Sequence, residues 1–110
     1  MQSAAFHLAV PVDDLDAASS FYGSVLGCAR GRSSSRWIDY DFGGHQLVLH
    51  QVEAEELPTV SSNPVDDEEV PASHFGLVLP WEEFDRLLAR LTSHRVDYAI
   101  CPHTRFAGRR

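Results

Sequence analysis

The 110-residue sequence predicts an α+β fold built from a duplicated β-α-β-β-(β) unit, with a sheet that carries its helices on one face. Three observations lead there. A histidine, a short apolar strand and a helical stripe occur in "FHLAVPVDDLDAASSFYGSVLG", Phe6 to Gly27, and again in "SHFGLVLPWEEFDRLLARL", Ser73 to Leu91. Laying His7 on His74 matches strand to strand and helix to helix at one offset of 67 residues (74 − 7), without a gap. Between the two copies, "RWIDYDF" and "HQLVLHQV" flank Gly43-Gly44 as two strands flank a hairpin turn.

Each element follows from local pattern. Phe6 to Val12 is short, apolar and rich in Val and Ala, and reads as a strand ending in a turn at Asp13-Asp14. From Leu15 the apolar period lengthens, with Leu15, Ala18, Phe21, Tyr22, Val25 and Leu26 on one helical stripe. Asp13 or Asp14 caps that helix, Asp16 suits its positive end, and Gly27 supplies a left-handed stop. "ARGRSSS" reads as a polar loop before the hairpin, and residues 54 to 72, acidic and punctuated by proline, read as a linker. A second strand, His74 to Leu79, then leads to a helix with Trp81, Phe84, Leu87, Leu88 and Leu91 on its stripe, and a short strand from Val96 to Cys101 follows.

Composition excludes several classes of function. The longest apolar run is far short of the ~18 residues that a membrane helix needs. A formal charge of −7 argues against nucleic acid, whose binders concentrate Lys and Arg to displace counterions. The N-terminus has neither a basic lead nor a long apolar stretch, so a cytoplasmic location is expected. Cys28 and Cys101 have no metal or redox spacing and are expected to stay reduced.

Strand alternation sends Leu8, Val10 and Val12, like Phe75, Leu77 and Leu79, toward the helices. The second face then carries His7, Ala9 and Pro11 from one unit and His74, Gly76 and Val78 from the other. Two histidines in one register, each with a small residue two positions on, form a candidate metal pair; each is otherwise an ordinary strand histidine bonded to backbone. His50 has the matching parity on its strand and is a candidate third ligand, or else a half-solvated strand end. Gln46 is placed to contact a substrate or a metal-bound water, Trp37 to line a cavity, and Asp39 to act as base or ligand or to stand exposed at an edge. His45 falls on the wrong parity and is assigned to the surface, as are His94 and His103. No serine or cysteine has a base in register, which removes a nucleophilic triad.

The stretches "FHLAVPVDDLDAASSFYGSVLGC", "GHQLVLH" and "NPVDDEEVPASHFGLVLPWEEFDRLLARL" resemble the vicinal oxygen chelate superfamily, the fold of glyoxalase I, extradiol dioxygenases, fosfomycin-resistance transferases and bleomycin-resistance proteins. Its "V.D...A..FY...LG" arrangement is matched by Val12, Asp14, Ala18, Phe21, Tyr22, Leu26 and Gly27, and the resemblance runs from Phe6 to about Phe106. It implies two βαβββ modules in a curved mixed sheet with helices outside: module one at about 4–53, a linker at 54–72 and a partial module two at 73–110. It also implies a divalent metal, Fe(II) first and otherwise Zn, Ni, Mn or Co, held by His7 and His74, with Val48 or His50 at the position of a further ligand. The glutamate that the family places on the last strand of module two has no counterpart after Cys101, so about two strands are expected to be missing. The function implied is a metal-dependent enzyme of the glyoxalase or dioxygenase type, an oxidoreductase-like protein acting on a small molecule with vicinal oxygens. A non-catalytic binding protein of the bleomycin-resistance type, or an inactive truncated paralogue, is the alternative. A homodimer is implied, with no nucleic-acid or membrane partner.

Overall fold

The computed structural model describes residues 3–100 and 102. Its first half is a four-stranded mixed sheet made of β1 (His7–Val12), β2 (Ala29–Ser33), β3 (Trp37–Phe42) and β4 (His45–Gln51), in the order β1-β4-β3-β2. β1 runs parallel to β4 and the other pairs are antiparallel. A parallel pair needs a crossover, and the connection through α1 (Leu15–Ser19), continued as a π-helical turn over Ser20–Val25, supplies its first part.

Alternation decides the two faces. Ile38 and Tyr40 of β3 and Leu47 and Leu49 of β4 are buried beneath Leu15, with Leu8, Val10, Val12, Ala18, Tyr22 and Phe42 packed around them. The expected capping of α1 is met by Asp14, whose carboxylate accepts from the Ala17 N–H at 3.0 Å. Gly27 ends the segment at φ +74°. Gln51 adds a clamp that alternation does not reveal: its Oε1 accepts from Leu15 N–H at 2.8 Å, while its Nε2 donates to the carbonyls of Asp13 at 2.8 Å and Val52 at 2.9 Å.

The expectations fail at four segments. "ARGRSSS" is not a loop, because its first five residues form β2, an exposed edge strand that pairs with β3 across a register shift. The linker contains a 3₁₀ turn at Ala54–Glu56 and a hairpin of β5 (Ser62–Val65) and β6 (Glu68–Pro71). Its turn residues, Asp66 and Asp67, adopt φ +49° and +66°, which aspartate tolerates in hairpin turns. Conversely, residues 74–80 form no strand even though their apolar alternation is good, since no neighbouring strand takes up their backbone. Residues 96–100 form none either, and Cys101 lies outside the described residues.

α2 (Trp81–Ser93) forms as expected and docks against the first half. Arg90 reaches the end of the π-helical turn, where its Nε donates to the Val25 carbonyl and its Nη2 to the Ser24 carbonyl at 2.9 Å. Phe75 packs edge-on against Phe42 with ring centroids 5.9 Å apart. Only part of the α2 stripe is covered: Leu87, Leu88 and Leu91 are half-buried, whereas Trp81 and Phe84 are exposed.

Candidate functional site

The face of the sheet opposite the helices is composed in rows by the strand register. His7, Gln46 and Asp41 form one row, Ala9, Val48 and Asp39 the next, and Pro11, His50 and Trp37 the third. Val48 is buried at the centre as an apolar floor. The polar groups around it are joined. His7 Nδ1 lies 2.6 Å from Gln46 Oε1, and Gln46 Nε2 donates to Asp39 Oδ2 at 3.3 Å, so a hydrogen-bonded line crosses three strands. Asp41 is engaged elsewhere, accepting from the Gly44 N–H at 2.8 Å in the hairpin turn. At the far edge the Arg32 guanidinium sits 5.7 Å from the centre of the Trp37 ring, in cation–π range.

The structure therefore brings together His7, Gln46 and Asp39 and sets Trp37 on the same face. It does not gather the three expected metal ligands. His50 stands four residues along β4 from the partner of His7, a distance of about 13 Å along a strand. His74 lines a cleft with Leu8–Pro11 of β1 and with Phe21, Tyr22 and Phe75, and its Nδ1–H donates to the Pro71 carbonyl at 2.8 Å. Among the described residues no three His, Cys, Asp or Glu side chains are grouped to hold a metal ion.

Other residues acquire unexpected roles. His45 is tied rather than free at the surface, its Nδ1 accepting from the Phe6 N–H at 2.8 Å. His94 forms the C-cap of α2, and His103 lies outside the described residues. On the helix side a second cleft of about 600 Å³ runs between β1, β4 and residues 75–80, lined by Leu8, Phe42, Phe75 and Leu77 with Glu83 at its rim. Burial, and secondarily the charge of Asp41, pushes the Cys28 thiol above its ordinary range; burial, and secondarily Cys28, does the same to the Tyr22 phenol.

A family model for the Glyoxalase/Bleomycin resistance protein/Dioxygenase superfamily matches residues 5–110. The chain belongs to that superfamily. Among solved structures it is similar to a glyoxalase/bleomycin resistance protein/dioxygenase from Alicyclobacillus acidocaldarius, with 31% identity and a TM-score of 0.73, covering 98% of this chain and 77% of that one. It also shares its fold with the fosfomycin resistance protein FosX of Listeria monocytogenes, solved with Mn(II) and sulfate, at 18% identity and a TM-score of 0.60 over 94% of this chain and 74% of that one. A lactoylglutathione lyase from Agrobacterium tumefaciens matches at 24% identity with a TM-score of 0.55, covering 86% and 72% of the two chains. No curated protein matches the chain. The superfamily includes metal-dependent enzymes and is bound together by fold rather than by one reaction.

Proposed function

We propose that the chain binds a small molecule with adjacent oxygens on the open face of its four-stranded sheet, with His7 as the central group. The observation that carries this reading is the line from His7 through Gln46 to Asp39, which crosses a face that also carries Ala9, Pro11 and Trp37 around a buried Val48, with Asp41 and His50 at its ends. Polar groups fixed over an apolar floor orient a small ligand, and an aromatic ring beside them adds contact area. Gln46, Asp39 and Trp37 contact or flank the ligand in this reading. Direct binding, as in a bleomycin-resistance-type protein, is what the described donors support best, because they do not fit a three-ligand metal centre.

A second reading is the metal-dependent enzyme of the glyoxalase or dioxygenase type. Its support is that His7 and His74 each have Nδ1 committed to a hydrogen bond, which leaves Nε2 for a ligand, and that a protein of the same fold is described with Mn(II). In that case His7 and His74 hold a divalent ion, Fe(II) or another of Zn, Ni, Mn and Co, with His50 as a further donor only after a rearrangement. A bound ion would supply Lewis-acid polarisation of chelated oxygens.

The two readings separate in one titration. Wild type, His7→Ala and His74→Ala are each titrated calorimetrically with Mn(II) and with catechol as a vicinal-oxygen probe. Catechol binding without metal, weakened about tenfold or more by His7→Ala and little by His74→Ala, supports direct binding. Stoichiometric Mn(II) uptake lost in both variants supports the enzyme, and no binding of either probe overturns both.

We further propose a cytoplasmic homodimer. Support comes from Val78, 85% exposed, from the exposed Trp81 and Phe84 on the uncovered α2 stripe, and from Cys28 as a free thiol. Sedimentation equilibrium at micromolar concentration is expected to give twice the chain mass, and a monomer mass would refute the dimer.

A further inference from the structure

Asp39 and His7 are joined through one amide, that of Gln46. We infer that Asp39 and Gln46 are positioning residues that decide which ring nitrogen of His7 carries the proton, an inference that rests on reading the open face as the binding site. The argument starts from the carboxylate, which only accepts hydrogen bonds. Gln46 Nε2 lies 3.3 Å from Asp39 Oδ2, so the donor end of the amide must face Asp39; the reversed amide would set two acceptors against each other. The acceptor end, Oε1, is thereby turned to His7 Nδ1 at 2.6 Å. Only Nδ1–H satisfies that oxygen. Neutral His7 is therefore held with Nδ1 protonated, and its Nε2 lone pair is left for whatever occupies the open face. Asp41, the other carboxylate next to Gln46 in register, is occupied by the Gly44 N–H at 2.8 Å. The instruction thus comes from Asp39, a residue two strands away from the ring it controls.

The test reads the tautomer directly in the full chain. Imidazole ¹⁵N shifts are recorded on histidine-labelled protein, at a pH where His7 is neutral, for wild type, Asp39→Ala, Gln46→Leu and Gln46→Glu. Wild type is expected to show a protonated Nδ1 and a lone pair on Nε2. Gln46→Leu shifts the ratio toward Nε2–H by about fivefold, the effect of one ordinary hydrogen bond, and Asp39→Ala shifts it the same way without touching the ring. Gln46→Glu, which offers acceptors only, retains Nδ1–H. A wild type with Nε2–H, or an Asp39→Ala protein with an unchanged ratio and a native amide spectrum, overturns the inference. Mn(II) titration of the same samples separates this from the site's larger chemistry: the tautomer pattern upholds the positioning role whether or not Mn(II) binds, and its absence overturns that role even in a chain that takes up the ion.

Discussion

At the scale of single residues, stability is concentrated in a few side chains. Leu49 is fully buried in the centre of the sheet, so Leu49→Ala is expected to cost about 2–5 kcal/mol, read as a lower urea midpoint with unchanged slope. Tyr40 is buried with its hydroxyl 2.7 Å from Ser19 Oγ and donating to the Ser19 carbonyl at 3.3 Å. Tyr40→Phe keeps the ring and removes that link between sheet and helix, for about 1 kcal/mol in the same measurement. Cys28 and Tyr22 contribute to the response at alkaline pH. Both are held protonated in the fold, so the folded state binds more protons than the unfolded chain once the pH passes the ordinary thiol range near about 8.5. Stability is then full below that range and falls as pH rises through the raised folded values; Cys28→Ser is expected to flatten the first part of that decline in urea titrations run from neutral to alkaline pH. On the open face, the placement of His7 and Gln46 was legible from alternation, because parity along a strand fixes the face, whereas alternation left open which face Asp39 and Trp37 share. The bonds among these residues were not legible, since they depend on which residues the register sets opposite one another.

At the scale of elements, β1, β3 and β4 were the readable strands of the four-stranded sheet. β3 alternates and β4 centres on the apolar run Leu47–Leu49 because they meet a core, whereas β2 is exposed throughout and becomes a strand only by borrowing the edge of β3. Residues 74–80 show the opposite case, with apolar alternation but no strand paired to them. Pattern reports what a strand would bury, while pairing is decided by neighbours distant in sequence. The Gly43-Gly44 turn is a testable joint between these parts. Gly43 sits at φ +60°, and a Cβ there would come within 2.8 Å of Leu77 Cδ1. Gly43→Ala is expected to cost about 1–2 kcal/mol from backbone conformation alone. Because Leu77 must also shift, hydrogen exchange in residues 75–80 is expected to quicken; unchanged exchange there would mean that Leu77 does not rest on the turn.

At the scale of the whole molecule, the two halves are unequal. The first closes a core between sheet and helix, while α2 leans on it through Arg90, Phe75 and Leu77. Arg90→Ala is therefore expected to release α2 selectively, with loss of amide protection over Trp81–Ser93 and little change in β3 and β4. The 67-residue repeat foretold both helices but not this inequality, for a repeat in sequence specifies like propensities and leaves open whether each copy finds a partner.

The outer side of β1 has its own logic. The carbonyls of Phe6 and Val12 accept from the N–H groups of Gln46 in β4 and of Val52 just after it, so the even-numbered backbone groups of β1 turn inward and those of His7, Ala9 and Pro11 turn outward. Proline has no amide hydrogen, which leaves this rail with donors only at His7 and Ala9. A stray chain zipping along β1 would find its third rung missing. Among the described residues β1 thus keeps an unpaired margin beside the open face while denying that margin to the indiscriminate stacking by which bare sheets grow into fibres.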